Sequence, residues 1–301
     1  MAAAIYAARK KLKILLLTQD FGGQSIVSDD IQNWIGEPHI SGFDLAQKLE
    51  NHVRAYADTV DIEIGVKATG IEKKEADSRS YFSVKTDDDK SYDGETVILA
   101  AGARRRRLNV PGEEKFEGKG VVYCSTCDAP IFAGKRVAVI GGGNAGLEAV
   151  QDLAPYASEI YLLEGGPVLK GDPVTQEAVR KIPSLKEIIF NAEIIEVTGE
   201  KFVAGLKYRL KAAAVIEKIL AVEGVFVEIG SVPNSEIAGG LVELNNRKEV
   251  IVDSKLGTTS QSGIFAAGDI TDDPYKQNNI SVGDGVKAAL AAYQYILRKQ
   301  S

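Results

Sequence analysis

The sequence predicts an α/β protein of about two domains, and three observations support this fold class. Apolar strand-like runs alternate with amphipathic helical segments, and this alternation starts twice, near the N-terminus and again at residue 135. A polar stretch at 103–120, rich in arginine and glycine, separates the two patterns and is the best candidate for a linker. The length of 301 residues also suits about two domains.

The first α/β pattern begins with a helix rather than a strand. A helix is predicted over residues 2–10, directly before a strand at 13–17, and apolar spacing predicts another helix over 42–58. Short alternating segments predict a small antiparallel sheet, and a run ending in glycine predicts a buried strand. The sheet segments are 62–66 and 81–86, with turn-rich stretches at 72–80 and 87–95, and the buried strand is 96–102.

The second α/β pattern follows the linker and is longer. Its strands are predicted at 135–140, 159–164 and 187–190, its helices at 144–154 and 174–182, and further short strands at 192–198, 202–209 and 220–229. A second polar boundary at 231–234 precedes strands at 249–252 and 263–267 and a final helix from about residue 283 to 298.

Composition narrows the function classes. The net charge of -6 gives no overall positive field for nucleic acid or an anionic membrane, so we expect neither partner. No apolar run approaches the roughly 20 residues of a membrane helix. The N-terminal basic cluster follows an alanine-rich segment, opposite to the order of a signal peptide. We therefore predict a cytoplasmic protein.

A glycine-rich loop lies between a predicted strand and a predicted helix. Its G-x-G-x-x-G pattern consists of Gly141, Gly143 and Gly146, with Asn144 and Ala145 inside the loop. Such glycines allow a tight turn, close backbone approach to a pyrophosphate, and close packing of helix on strand. The pattern favours a dinucleotide site, in which the pyrophosphate lies at the helix N-terminus. The alternative is a plain strand-to-helix turn.

An acidic residue occupies the position expected for ribose recognition. Glu164 ends the next predicted strand and would accept hydrogen bonds from an adenosine ribose hydroxyl. The segment 165–173 contains one lysine and no arginine. A 2′-phosphate prefers arginine and would be repelled by a carboxylate, so the sequence favours NADH over NADPH.

The sequence has two cysteines, Cys124 and Cys127, in one C-x-x-C motif followed by Asp128. Structural zinc would need four ligands, and the two histidines, His39 and His52, are far upstream with the wrong spacing. A buried inert pair is the second alternative. We favour a reversible dithiol/disulfide with Asp128 as general acid or base. Hydride from a nicotinamide usually reaches a disulfide through a flavin, which predicts a flavin site as well.

Several blocks spread over nearly the whole chain resemble the low-molecular-weight thioredoxin reductases and the related flavoprotein component of alkyl hydroperoxide reductase. These blocks are GGQ at 22–24, NW at 33–34, AAGA at 100–103, NVPGE at 109–113, CSTCD at 124–128, GGGNAG at 141–146, GIFAAGDI at 263–270 and PYKQ at 274–277.

The resemblance implies an architecture of two Rossmann-like, three-layer ββα domains of the pyridine nucleotide-disulfide oxidoreductase type. Residues 1–110 and 233–301 would form a discontinuous FAD-binding domain. Residues 111–232 would form the NAD(P)H-binding domain that carries the C-x-x-C motif. A homodimer and a rotation between the domains are implied as well.

The resemblance also implies roles for individual residues. Cys127 would face the flavin, Cys124 would attack the partner disulfide, and Asp128 would serve as its acid. The residues implied to bind FAD are Gly22, Gly23, Gln24 and Asn33, then Gly268 and Asp269 at the ribitol, and Gln277 near the isoalloxazine ring.

The sequence departs from this family in four places. The first strand and the G-x-G-x-x-G loop that hold the FAD pyrophosphate are missing, so we expect Met1 to be an internal methionine or a fragment boundary. Residues 164–171 lack the basic cluster of NADPH-specific thioredoxin reductases. Ala129 stands where glycine is usual, and residues 210–219 replace a polar hairpin turn. The arginine run at 104–107 is interpreted as a solvated linker face, with contact to a cofactor or an acidic partner as the alternative.

The predicted function is a flavoenzyme that passes electrons from NAD(P)H through FAD and the Cys124–Cys127 dithiol to a thioredoxin-like protein disulfide. One alternative is an NADH-dependent disulfide reductase of the peroxide-reductase flavoprotein type, whose partner is a peroxiredoxin system. Another is a non-catalytic NAD(H)-binding protein that cannot retain FAD.

Overall fold

The computed structural model describes residues 1–28, 30–76, 79–211 and 217–300. The first α/β pattern forms two helices and seven strands up to residue 105. In chain order they are α1 (Ala2–Arg9), β1 (Ile14–Thr18), α2 (Gly42–Arg54), β2 (Val60–Ile64), β3 (Ala68–Ala76), β4 (Arg79–Thr86), β5 (Ser91–Gly94), β6 (Val97–Leu99) and β7 (Ala103–Arg105).

The second pattern follows, and the chain then returns to the first. The elements of the second pattern are β8 (Val121–Val122), α3 (Ser125–Asp128), β9 (Arg136–Ile140), α4 (Asn144–Leu153), β10 (Glu159–Glu164), α5 (Pro173–Val179), β11 (Leu185–Phe190), β12 (Ala192–Gly199), β13 (Val203–Leu210), β14 (Glu217–Leu220) and β15 (Gly224–Val227). The returning segment contains β16 (Ser231–Pro233), β17 (Ile264–Ala266) and α6 (Asn278–Gln300).

A three-layer unit forms the middle of the chain. Its centre is a five-stranded parallel sheet in the order β11-β10-β9-β15-β8. One face of the sheet packs on the apolar side of α4, with Leu147 and Val150 fully buried against Val139. The other face packs on the antiparallel sheet β12-β13-β14, where Leu206 is buried. Both faces are covered, which explains the continuous apolar runs of β9 and β10.

The remaining strands form smaller sheets. Strands β1 and β2 pair in parallel, β6 and β17 pair in parallel, and β3-β4-β5 form an antiparallel sheet. Helix α6 packs against β17 through Ala288 and Ala292, which contact Phe265. It also packs closely against α1. The predicted fold class, an α/β protein with two Rossmann-like units, is confirmed.

An antiparallel ribbon of β7 and β16 lies beside both predicted domain boundaries. The guanidinium of Arg104 bonds the carboxylate of Glu236 at 2.7 Å across this region, and Arg107 bonds Glu117 at 2.8 Å. Two of the four arginines at 104–107 therefore form ion pairs on or next to the ribbon. The division at residues 110 and 232 itself stays a prediction.

Several predicted elements are corrected by the structure. The segment 62–66 does not join the antiparallel sheet, because β2 pairs in parallel with β1, and most of 72–80 is strand rather than turn. The strand predicted at 220–229 is interrupted between β14 and β15, and 249–252 forms only an isolated bridge at Val250. The last helix begins at Asn278, before the predicted residue 283. Residues 212–216, within the unusual segment 210–219, lie outside the described residues.

Among the helices of the described residues, none is both long enough and apolar enough to cross a membrane.

Candidate functional site

The cysteine pair lies at the start of α3. Cys124 is the N-cap residue of this short helix, Cys127 lies within it, and the two sulfurs are joined in a disulfide with Cα atoms 5.4 Å apart. Both cysteines are half-buried. The structure therefore brings together the thiols that the sequence predicted as a redox pair, in a position that is neither fully enclosed nor fully exposed.

Asp128 ends α3, one helical turn after Cys124. Its backbone N–H donates to the carbonyl oxygen of Cys124 at 3.1 Å, and the residue is 6% exposed. The carboxylate is thus attached to the same turn as both sulfurs. This placement suits the predicted role of an acid or base, which remains a prediction.

Residues between the cysteines are held by two carboxylates from distant elements. Ser125 Oγ and Thr126 Oγ1 donate to Asp152 Oδ2 on α4 at 2.8 and 3.1 Å. The backbone N–H of Ser125 donates to Glu228 Oε1 at 3.3 Å, directly after β15. The C-x-x-C turn is therefore fixed to the same sheet and helix that carry the glycine loop.

The residue before the pair is held by a third carboxylate. Tyr123 Oη donates to Glu113 Oε1 at 2.9 Å, and burial together with this bond raises the pKa of the Tyr123 hydroxyl. Glu113 is 2% exposed and also accepts the backbone N–H groups of Leu108 and Asn109 at 2.8 and 2.7 Å. The carboxylate of Glu113 thus joins the linker to the strand that leads into Cys124.

The glycine loop has the geometry of a nucleotide-phosphate cradle. Gly141 has φ +121°, and a Cβ there would lie 2.3 Å from the backbone oxygen of Glu228. A Cβ on Gly146 would lie 1.7 Å from the oxygen of Gly141, so neither position admits a side chain. Gly143 has nothing within 4 Å of its missing Cβ and opens α4. Open space at a helix N-terminus fits the pyrophosphate of a dinucleotide.

Asn144 and Ala145 occupy the first turn of α4. Asn144 Oδ1 accepts the backbone N–H of Asp172 at 2.7 Å, which holds the loop after β10 against the cradle. The N-cap residue is Gly143, which makes no side-chain cap bond, so it leaves the first N–H groups of α4 available to an anion.

Glu164 ends β10 and is 6% exposed. Burial raises its pKa, but three favourable contacts outweigh burial and the net pKa lies below its usual range. These contacts are the backbone N–H groups of Gly142 and Gly166, at 2.7 and 2.8 Å, and the ammonium of Lys170 at 3.3 Å. Glu164 is therefore an ionised carboxylate that supports the glycine loop at the position where ribose recognition is predicted.

The residues predicted to bind the flavin are brought together from both ends of the chain. Asn33 Nδ2 donates to Gln277 Oε1 at 3.0 Å, and the side-chain amide of Gln24 donates to the backbone oxygen of Ala103. Asn279 Nδ2 also donates to the backbone oxygen of Asn33, at 2.7 Å. The loop after β1 thus meets the start of α6.

The glycines of this region differ in their surroundings. Gly22 packs on Ile26 and Ala46, whereas Gly23 has φ +54° and open space beside its missing Cβ. Gly268 lies close to Ser281, whose Oγ donates to Asp269 Oδ1 at 3.3 Å. Asp269 is consequently oriented by α6 at the end of β17.

The profile of the pyridine nucleotide-disulphide oxidoreductase family matches residues 1–294. The chain belongs to this family. Within the family it is of the thioredoxin reductase and peroxide-reductase flavoprotein type, as the following comparisons show.

Two curated relatives and one solved structure illustrate the similarity. The chain is 44% identical over 99% of its length to a component of the alkyl hydroperoxide reductase of Pseudomonas putida, and 43% identical over 99% to NADH dehydrogenase of Bacillus subtilis. It spans only 56% of each of these relatives. The thioredoxin reductase of Streptococcus pyogenes aligns with a TM-score of 0.88 at 30% identity, covering 99% of this chain and 94% of that one.

Membership of this family implies the use of a flavin and a nicotinamide nucleotide, and the structure allows a test of fit. The open space at Gly143 and the N-terminus of α4 fit a nicotinamide dinucleotide. Gln24, Asn33 and Gln277 carry amide groups of the kind that hydrogen-bond a flavin ring. In this structure Gln24 bonds Ala103, and Asn33 and Gln277 bond each other. Residues 1–21 contain no glycine, so these residues hold no G-x-G-x-x-G motif for the flavin pyrophosphate.

Three carboxylates hold the residues around the C-x-x-C motif, and the sequence analysis did not identify them as site residues. They are Glu113, Asp152 and Glu228. One signal was available for Glu228: it directly follows an apolar strand, much as Glu164 ends one. Acidic side chains at the carboxyl end of a parallel sheet lie where ligands bind. Asp152 carries no such signal, since it lies inside a predicted helix rather than at the end of a strand.

Proposed function

We propose that the protein is a disulfide reductase that uses a flavin and a nicotinamide nucleotide and acts through Cys124 and Cys127. The observation that carries the proposal is the position of Glu228. Its backbone oxygen lies against Gly141 of the nucleotide cradle, and its side chain accepts a hydrogen bond from Ser125 between the cysteines. The dithiol and the nucleotide cradle are therefore parts of one local structure.

The two cysteines divide the proposed chemistry. The Cys124 thiolate attacks the partner's disulfide and forms a mixed disulfide, and one partner sulfur leaves with a proton from Asp128. The Cys127 thiol then loses its proton and attacks the Cys124 sulfur, which re-forms the internal disulfide, and the second partner sulfur takes that proton and leaves as a thiol. The flavin, when bound, supplies the electron pair that opens this disulfide again, at the expense of NAD(P)H.

We propose NADH as the preferred nucleotide. Glu164 is ionised and buried at the predicted ribose position, which disfavours a 2′-phosphate. Two lysines approach the turn after β10, but both are engaged: Lys170 bonds Glu164 and Lys211 donates to the backbone oxygen of Gly165 at 2.9 Å. Residues 165–173 contain no arginine for a bidentate phosphate contact.

The partner class is a protein disulfide of a thioredoxin-like protein or a peroxiredoxin system. The name of the Pseudomonas putida relative favours the peroxiredoxin system, and the name of the Streptococcus pyogenes structure favours thioredoxin. The homodimer is implied by the resemblance and the cytoplasmic location by the composition of the sequence, and both stay predictions.

The test is steady-state kinetics on protein reconstituted with FAD. NADH and NADPH are compared as donors, and a thioredoxin and an oxidised peroxiredoxin-system protein are compared as acceptors. We expect a higher kcat/KM with NADH and turnover with one of the acceptors. Colourless protein that binds NADH normally and reduces neither acceptor would contradict the proposal and support a non-catalytic NAD(H)-binding protein.

Substitution of Cys127 supplies the matched site test. In Cys127→Ser no internal disulfide can form, so we expect loss of protein-disulfide reduction while NADH still bleaches the flavin absorbance. The measurements are stopped-flow absorbance for the flavin and thiol release for the acceptor. Unchanged acceptor reduction in this variant would exclude Cys127 from the reaction.

A further inference from the structure

Glu228 is a buried carboxyl group to which the proposed reaction assigns no role. It directly follows β15 and is 8% exposed. Its backbone N–H donates to the carbonyl oxygen of Ile140 at 2.8 Å, and this bond fixes Glu228 to β9, the strand before the glycine loop. Its Oε1 accepts the N–H of Ser125 at 3.3 Å, the first peptide group after Cys124. A carboxyl group is thus held beside the backbone that joins the two cysteines.

Charged groups from three packed elements face Glu228. Arg105 on β7 favours its ionised form, whereas Asp152 on α4 and Asp128 on α3 disfavour it. Burial is the largest influence, and together these effects raise the pKa of Glu228 to about 8 with the cysteines oxidised. Glu228 can therefore exchange a proton in the range where thiols also ionise.

We propose that Glu228 is a positioning residue that binds a proton when the Cys124–Cys127 disulfide is reduced and releases it when the disulfide re-forms. This inference rests on the proposed disulfide reduction. Two electrons and one proton convert the disulfide to one thiolate and one thiol. Cys124 directly precedes Ser125, whose N–H donates to Glu228. A thiolate on Cys124 therefore adds negative charge near the Glu228 carboxylate and favours a second proton on it, which makes Glu228 a neutral acid.

The experiment measures the redox equilibrium of the cysteine pair directly. The protein is equilibrated with reduced and oxidised dithiothreitol at several pH values, quenched with acid, and its free thiols are counted by a maleimide gel shift. Dithiothreitol supplies the electrons, so neither flavin nor NADH turnover is needed. Glu228→Gln keeps the size of the side chain and an oxygen for the Ser125 bond, but cannot titrate.

The quantity compared is the equilibrium constant for reduction of the disulfide by dithiothreitol. We divide its value in Glu228→Gln by its value in wild type at each pH. Below about pH 7 Glu228 is neutral in both redox states, so the ratio is constant. Above about pH 8 only the wild type must bind the extra proton, so the ratio rises about threefold to tenfold per pH unit. Glu236→Gln is the control, since this exposed carboxylate pairs with Arg104 in the neighbouring ribbon and should give a constant ratio to wild type.

A ratio that does not change with pH in Glu228→Gln would overturn the proposal, because a purely structural role shifts the constant equally at all pH values. If Glu228→Gln does not fold, the proposal is tested on the wild type by infrared difference spectra between the reduced and oxidised protein. Reduction at about pH 8.5 must then produce a protonated carboxyl band that persists in Asp128→Asn. Absence of that band would also overturn the proposal.

The two proposals fail independently. Protein that reduces no acceptor but shows the pH-dependent ratio would refute the proposed function and retain the role of Glu228. Normal acceptor turnover with a constant ratio would do the opposite.

Discussion

Glu164 and Glu228 are the same residue type in similar positions, each at the end of a strand of one parallel sheet, yet their pKa values move in opposite directions. Both are more than nine-tenths buried. Glu164 accepts two backbone N–H groups and faces Lys170, so its carboxylate is stabilised. Glu228 accepts one longer bond and faces Asp152 and Asp128 as well as Arg105. Burial is the largest influence on Glu228 and raises its pKa, whereas at Glu164 the two N–H donors and Lys170 outweigh burial.

This difference predicts how stability depends on pH at Glu228. Burial raises its pKa from 4.5 to about 8, so its contribution to stability is complete at low pH and is lost as the pH rises through about 8. Glu228→Gln does not titrate. We therefore expect its free energy of unfolding, relative to wild type, to increase by about 1–4 kcal/mol between about pH 5 and pH 8.

Urea denaturation at both pH values measures this change. A relative free energy that is the same at both pH values would mean that Glu228 has an ordinary pKa. Glu236→Gln again serves as the control, because its carboxylate is exposed and its pKa is lowered by Arg104, below this pH range.

At the scale of elements, two glycines in the turn from β9 to α4 have different roles. One is needed for folding and the other for nucleotide binding. A Cβ at Gly146 would lie 1.7 Å from the backbone oxygen of Gly141, whereas a Cβ at Gly143 would meet nothing within 4 Å. We expect Gly146→Ala to lower the melting temperature by several degrees, since a displaced helix costs about 1–3 kcal/mol. Gly143→Ala should fold normally.

The same pair predicts opposite effects on the nucleotide. In Gly143→Ala the new methyl group occupies the space where the pyrophosphate is expected. The Kd for NADH should therefore rise by about tenfold or more, which corresponds to a binding free energy less favourable by about 1.4 kcal/mol. Thermal melting and fluorescence titration with NADH measure the two effects. Normal NADH affinity in Gly143→Ala would place the dinucleotide elsewhere.

The strand and helix of this turn could be predicted from the sequence because their signals are local. The apolar run of β9, the glycines and the amphipathic α4 occur within a few residues of each other. The partner of β2 could not be predicted in this way. Its pairing with β1 joins residues such as Leu16 and Ile62, far apart in sequence, and nothing local distinguishes it from a hairpin strand.

The start of α6 was predicted too late for a similar reason. Gly283 and Gly285 have low helix propensity, so the local helical signal is weak at this end of α6. In the structure a Cβ on Gly285 would lie 3.2 Å from the backbone nitrogen of Ala3. The glycine lets α1 approach α6, so packing between the two ends of the chain outweighs propensity.

At the scale of the whole molecule, the candidate site depends on contacts that span the chain. The cysteines, Asp128 and the glycine loop could be found from motifs. The carboxylates that hold the cysteine turn could not, because they come from α4, from the end of β15 and from the linker. Likewise, Asn33 and Gln277 meet only after both ends of the chain have folded together.

Glu113 offers a test of this long-range organisation. Its buried carboxylate accepts the N–H groups of Leu108 and Asn109 in the linker and the hydroxyl of Tyr123 beside Cys124. Glu113→Ala leaves these donors without their acceptor in a buried place. We expect it to lower the free energy of unfolding by about 2–4 kcal/mol. Glu114→Ala, an exposed neighbour, should change it by less than about 0.5 kcal/mol.

The effect of Glu113→Ala should also reach the cysteines. Tyr123 loses its fixed partner, so the segment before Cys124 becomes freer and the disulfide should be reduced faster by dithiothreitol than in wild type or Glu114→Ala. Denaturant unfolding and time-resolved thiol labelling measure the two effects. If the stability falls while the reduction rate stays unchanged, Glu113 supports only the linker, and the cysteine turn is held by Asp152 and Glu228 without it.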